Sequence, residues 1–526
     1  MFKLRLVFIL IFVSTICIPL YQYFNLSKQR DLFVEASQKR SQYSQTIIAP
    51  RKTIVDRNQN ELAISIKRPT LIFKSEVDKD RILEFSSNKS KDIFLSTNKR
   101  LYFESNIDQK FIDEAEIICS CIIIREDLYR RYYPYGSIAA TVVGFSGPDG
   151  GLDGVEAIYN SSLQGDIKKD FFVRSAKGQK TLGDLETYIQ KDEVLQLTID
   201  ITLQYKLFEE LKNAIVDSKA LGGFAVIMDA KNGDVLAMAS YPSYNPNNSS
   251  RVLKRNRLIS DFNEPGSLIK PFTIAGALDY GLIDKNTIID TNPGYITLSN
   301  IQRSEAGGKN FGEIQPDEII FYSSQVGTAK IAIKFSDDQL KSNLRRFGFG
   351  EFLRMDLSLT NPGTILDAQK LYDIDKASMG YGYSVEANSL QIARAYSVFA
   401  NRGTMVEPRL SLSDEFERVQ VLDPEIANYI LNSLRDTVLI GTASSLSENI
   451  VEITGKTGTT NKFIQGEGYA EGRYQSSFAS IFPHKDPQYI MIVTIDEPDP
   501  NKYFGGDVSA PVVGKMADFM LRLNYL

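Results

Sequence analysis

Residues 200–239 read DITLQYKLFEELKNAIVDSKALGGFAVIMDAKNGDVLAMA. Asp200 can cap a helix in which Leu203, Leu207, Leu211 and Ile215 recur every four residues, the spacing of one buried face. An apolar run, Gly223–Asp229, follows. A turn at Asn232-Gly233 and a second run, Val235–Ala239, complete a β-hairpin signal. Three more strand candidates lie near the C-terminus: Val451–Thr454, Ser477–Phe482 and Tyr489–Ile495. Pro483–Pro487 joins the last two, and a helical pattern runs from Val513 to Leu523. Helix, two strands, a helical middle, three strands and a final helix predict one α+β unit. Its five-stranded sheet should carry helices on its faces.

Inside that unit lies Glu264-Pro265-Gly266-Ser267-Leu268-Ile269-Lys270. Pro-Gly ends the preceding segment, and Ser267 can begin a helix through Phe272, Ile274 and Leu278. Pro271 is tolerable there only in a first turn. Positions i and i+3 share a helix face, so Lys270 is expected to aim at the Ser267 hydroxyl. A helix N-terminus disfavours an ammonium nearby, and a lysine so depressed can act as the base for a serine. The tetrad alone is common: Ser86…Lys89 and Ser96…Lys99 share it and read as solvated surface. Two further clusters change its meaning. Ser323-Ser324-Gln325 precedes an apolar-periodic run, Val326–Ala332, and Lys456-Thr457-Gly458-Thr459 lies on the strand expected to begin at Val451. Serine–lysine, Ser-x-amide and Lys-Thr-Gly, in that order, are the signature set of penicillin-recognising serine acyltransferases.

The 526 residues allow three to four domains. Sixty Lys+Arg against 65 Asp+Glu give a net charge of -5, which argues against a nucleic-acid partner. The single histidine, His484, cannot build a two-histidine zinc site, and neither metal nor cofactor is expected. Leu6–Phe24 holds 15 apolar residues in 19, long enough to span a bilayer. The run ends in Tyr21-Gln22-Tyr23-Phe24, which offers no signal-peptidase site, so a retained anchor is expected. Lys3 and Arg5 place its start in the cytoplasm. Residues 1–25 thus read as cytoplasmic tip and anchor and 26–48 as linker. Residues 49–195 form a mixed β-rich segment, and 196–526 the catalytic unit. Cys119 and Cys121 sit in an apolar β-like run, Ile117–Ile124, and read as buried thiols. Gly147–Gly154 reads as a tight loop.

The whole pattern resembles a class B penicillin-binding protein, most like the septal FtsI type. Pro50–Asn58, Arg131–Pro134 with Val143-Gly144-Phe145, and Gly154-Val155-Glu156 are similar to motifs of that family's non-catalytic pedestal. Met238–Asn247, Gly380-Tyr381-Gly382 and Tyr503–Val512 match its catalytic domain. The resemblance implies an antiparallel sheet and D,D-transpeptidation of peptidoglycan stem peptides, inhibited by β-lactams. Ser267 would attack the carbonyl of the penultimate D-alanine, with Lys270 as its base. Ser323 and Lys456 would relay a proton to the leaving amine, and an amine from a second stem would resolve the acyl-enzyme. Thr457 and Thr459 would hold the terminal carboxylate, with Gly458 between them. Backbone N–H groups of Ser267 and Thr459 would form the oxyanion hole. Gln325 stands where the family has asparagine, one methylene longer. The resemblance also implies a septal, inner-membrane location with the catalytic domain in the periplasm. Its partners would be an FtsW-type glycosyltransferase and other divisome proteins, met near Glu156 or within Leu6–Phe24. An elongation-type relative, or a divisome scaffold with a weakened site, are the alternatives.

Overall fold

The computed structural model describes residues 2–30, 42–48, 50–72, 93–95, 100–103, 124–147, 150–165, 167–174, 180–182, 194–248, 256–354, 361–464 and 468–526, with residues 84, 110, 111, 113, 114, 117 and 466. They form two compact units, Met1–Arg51 with Gln164–Glu193, and Lys52–Leu163 with Val194–Leu526.

The first unit opens with helix α1, Phe2–Lys28. Val7–Lys28 is 22 residues long, with mean hydropathy 2.0, and its side chains are unburied. At 1.5 Å per residue it covers roughly the 30 Å of a hydrocarbon core. The unit also holds a three-stranded sheet. Gln42–Ile48 pairs antiparallel with Ile167–Arg174, which pairs with Lys180–Leu182. Residues 42–48 were expected to be linker on the strength of their polarity. They are a strand because the ladder joins backbones, and Tyr43, Thr46, Ile47 and Ile48 favour extended geometry.

The second unit begins with a mixed sheet in the order Val194–Gln196, Thr53–Val55, Glu61–Ile72, Arg100–Phe103, Ile93–Leu95. Ile124–Tyr132 also pairs with Glu61–Ile72. Of the strand expected over Ile117–Ile124, only its last residue falls in this strand, and Cys119 and Cys121 lie outside the described residues. The glycine-rich loop is a hairpin, Phe145–Gly147 with Gly150–Asp153. Partner contact was expected near Glu156. Glu156 itself is fully buried, its carboxylate 2.6 Å from Arg131 Nε, where it holds the fold.

The rest of the unit follows the expected order closely. Helix α2, Ile201–Asp217, starts at Asp200, whose carboxylate accepts Thr202 N–H and Leu203 N–H. Strands β1, Gly222–Asp229, and β2, Val235–Tyr241, form the hairpin. The middle includes helices α3 (Lys270–Asp279), α4 (Gln325–Ala332), α5 (Ser389–Ala400) and α6 (Pro424–Leu439). Strands β3 (Thr454–Ile464), β4 (Gly468–Phe482) and β5 (Tyr489–Asp496) precede helix α7 (Ala510–Arg522). The sheet is antiparallel throughout, in the order β2-β1-β5-β4-β3, which makes β3 an edge.

Both faces are covered, and the pleat assigns each residue its side. Ala225, Ile227, Phe478, Met491 and Val493 pack with α2 and α7. Phe224, Val226, Met228, Ala479 and Ile492 pack with α3 and α5. β3 begins at Thr454 and not at Val451. Thr454 opposes Ile481, so two residues earlier the partner strand has reached Pro483, which has no N–H to give. Phe272 fixes α3: it is fully buried against Phe347, Phe349, Tyr396 and Phe399, with ring centroids 4.9–5.3 Å away. Burying a ring of this kind contributes about 2–3 kcal/mol and holds the helix that begins with Lys270.

Candidate active site

Ser267 lies in a 3-10 turn, Gly266–Leu268, and α3 proper starts only at Lys270. The helix was expected to begin at the serine itself. Gly266 has φ 54°, and a Cβ there would lie 2.3 Å from Thr460 Cγ2, so the turn that presents Ser267 needs glycine. Gly266 N–H donates to Gly382 O at 3.0 Å, and Tyr396 O–H donates to Leu268 O at 2.9 Å. The turn is therefore held on both sides.

Ser323 sits between Pro316–Phe321 and α4 with φ 62°, in the left-handed region. For a residue with a Cβ that costs on the order of 1–2 kcal/mol, and such strain clusters where a side chain must be aimed. Its hydroxyl is the meeting point of the site. Lys456 Nζ donates to Ser323 Oγ at 2.8 Å, and Lys270 Nζ to the same oxygen at 3.2 Å. Lys270 also donates to Ser323 O at 2.5 Å, and Lys456 to Thr457 O at 2.9 Å. Lys270 was expected to aim at Ser267. Among the described residues its hydrogen bonds go to Ser323, whose left-handed backbone presents both its carbonyl and its hydroxyl.

The lysines are 2% and 0% exposed. Burial pushes the Lys270 ammonium down to about 8, and the charge of Glu305 opposes that fall. Lys456 is pushed well below the usual lysine value, first by burial and then by the like charge of Lys270. Two ammonium groups on one hydroxyl titrate as a coupled pair, which readily gives up one proton.

The Lys456–Thr459 segment runs along edge strand β3, where alternate N–H groups face away from β4. Gly458 lets the strand approach the nucleophile turn: a Cβ would stand 3.2 Å from Pro265 O and 3.1 Å from Leu268 Cγ. Thr459 Oγ1 accepts Gly505 N–H at 3.2 Å, so its own proton stays available to an anion. Thr457 Oγ1 lies 2.6 Å from Thr442 Oγ1. Gln325 is the first residue of α4 and half-buried, and its side-chain amide has no hydrogen-bond partner among the described residues. Thr442, Gly505 and Glu305 were not singled out for roles. Gly505 belongs to the Tyr503–Val512 resemblance, whereas Thr442 and Glu305 carry no local motif. His484, in the β4–β5 turn, has Nδ1 3.0 Å from Thr454 Oγ1 and makes no hydrogen bond to either lysine.

A serine on a glycine-led turn, two buried lysines and a second serine between them, all beside a sheet edge, define a serine acyltransferase site. A family model described as the penicillin binding protein transpeptidase domain matches residues 223–518. The probable peptidoglycan D,D-transpeptidase PbpC of Pseudomonas aeruginosa is 33% identical over 439 residues, 81% of this chain and 76% of its own. Peptidoglycan D,D-transpeptidase FtsI of Buchnera aphidicola subsp. Schizaphis graminum is 29% identical over 545 residues, 98% of this chain and 93% of its own. The penicillin-binding protein solved in complex with MreC from Helicobacter pylori shares the fold, with a TM-score of 0.76 at 22% identity over 92% of this chain and 100% of its own. The chain belongs to the penicillin-binding protein transpeptidase family, as a class B member of the FtsI type.

Proposed function

We propose that this chain is a peptidoglycan D,D-transpeptidase that joins stem peptides through an acyl-enzyme on Ser267. The convergence of Lys270 and Lys456 on the Ser323 hydroxyl carries this reading. Neutral Lys270 takes the Ser267 proton as Oγ attacks the carbonyl carbon of the penultimate D-alanine. As the C–N bond breaks, the leaving amine takes a proton from Ser323, which Lys456 replenishes. An amine of a second stem then attacks the ester, loses a proton along the same groups, and Ser267 recovers its own. Thr459 and Thr457 hold the terminal carboxylate beside Lys456. Backbone N–H groups of Ser267 and Thr459 stabilise the oxyanion, where one donor is worth on the order of 3 kcal/mol. The Gln325 amide reaches toward the substrate backbone.

The N-terminal apolar helix supports a single-pass inner-membrane anchor, with the start in the cytoplasm and the site in the periplasm. The FtsI name of the Buchnera relative supports action at the division septum, where an FtsW-type glycosyltransferase would be the partner. Residues 49–195 serve as a non-catalytic pedestal. The test is labelling of the full chain, in detergent, by a fluorescent penicillin. Wild type should form a stable adduct, and Ser267→Ala should lose it by at least ~10³-fold. A wild type that labels no better than Ser267→Ala points to a scaffold, and rapid drug turnover to a lactamase.

A further inference from the structure

One buried carboxylate has no part in that chemistry. Glu305 follows the strand Ile301–Ser304 and is 3% exposed. Its Oε1 accepts Ser324 O–H at 2.5 Å and Val326 N–H at 3.3 Å, and its Oε2 accepts Gln325 N–H at 2.6 Å. Ser324 Oγ accepts Gly327 N–H at 2.9 Å. The first three N–H groups of α4 therefore end on this carboxylate, directly or through Ser324. A hydroxyl cap alone suffices for most helix starts, and α4 has only eight residues. Burying an anion costs several kcal/mol unless other charge compensates it. Lys270, on the Ser323 hydroxyl, is a cation within its field, and Lys456 is coupled to it through Lys270.

We propose that Glu305 is a positioning residue for the acyl transfer: it clamps the turn that carries Ser323, and its charge keeps one proton on the Lys270–Lys456 pair. Without a nearby anion, two desolvated lysines would both tend to lose their protons, leaving Lys456 nothing to relay. With one, the pair keeps a single shared proton, so one lysine can act as base and the other as acid. The charged groups around Ser323 are Lys270 from α3, Lys456 from β3 and Glu305 from the end of the strand Ile301–Ser304. Glu305 is the anion that opposes the desolvation of Lys270, and Lys270 is the cation that pushes Lys456 down.

The inference rests on the proposed acyl transfer, and its test follows the acylation rate of the full chain by fluorescent penicillin against pH. Wild type should gain rate as pH rises through about 8, as Lys270 becomes neutral. Glu305→Gln removes the charge that favours the ammonium, so the acid limb should move down by about one pH unit. Its plateau should fall at least ~10-fold, because the relay loses its proton. Glu305→Asp should keep the limb in place at an intermediate plateau. Ser324→Ala should lower the plateau without moving the limb. A limb that stays put in Glu305→Gln overturns the proposal whatever the plateau does, since a purely structural cap would leave the base's ionisation alone. Melting curves check folding, and if Glu305→Gln does not fold, the neutral Glu305→Thr carries the same test. A wild type that takes no label defeats the transpeptidase reading itself. Normal wild-type labelling with an unmoved limb defeats only the role of Glu305.

Discussion

Arg131 and Glu156 meet at 2.6 Å with side chains 6% and 0% exposed, one cation against one anion. Lys270 and Lys456 are buried as deeply, but they are two cations sharing one hydroxyl. The first arrangement matches its charges and locks a strand to a short helix. The second leaves charge in excess, with Glu305 to offset part of it, so a proton can move at little cost. Burial strengthens both interactions, and only the sign of the partner decides whether the result is rigidity or reactivity.

The comparison can be broken most sharply at Lys270. Lys270→Arg keeps the cation and can keep the bond to Ser323, but guanidinium does not deprotonate near neutral pH. Penicillin labelling should fall about 10³-fold while the melting temperature changes little. Retained labelling would show that Lys270 is not the base. In the matched pair the effects should be reversed. Glu156→Gln leaves Arg131 without its anion and should cost about 3–5 kcal/mol of stability by denaturant melt. Labelling per folded molecule should stay near wild type, and a selective loss of labelling would mean that the two regions are coupled.

The smallest effect sharpens the contrast. Lys270→Met removes an unwelcome charge and should raise stability at pH 7 by about 1 kcal/mol, although it abolishes labelling. Lys270 is depressed to about 8 in the folded chain against 10.5 for an ordinary lysine. Between these values the unfolded chain binds the proton and the folded chain does not, so wild-type stability rises with pH across that window. The gain from Lys270→Met should therefore be largest below pH 8 and fade toward pH 10.5. A uniform difference at every pH would show that the lysine is not desolvated.

Much of the fold was legible in one dimension. The spacing of Leu203, Leu207, Leu211 and Ile215 gave α2, the Asn232-Gly233 turn gave the first hairpin, and Pro483–Pro487 gave the last. Each of these signals lies within about a dozen residues. Gln42–Ile48 was expected to be linker because four of its seven residues are Gln, Ser or Thr and its partner lies some 120 residues away. The start of β3 was placed three residues early, because apolar Val451 and Ile453 are buried without belonging to the ladder.

The sequence by itself determined the chemical inventory: a serine and lysine three apart, a Ser-x-amide, a Lys-Thr-Gly-Thr and a single histidine far too scarce to serve as ligand pair. Those are facts of residue type and local spacing, which need no folding to be read. Only the tertiary structure decided that both lysines converge on Ser323, that Lys270 turns toward it, and that Glu305 lies beneath the same helix start. Such relations depend on chain segments 18 to 186 residues apart being packed into one site, where burial and neighbouring charge set each proton's affinity.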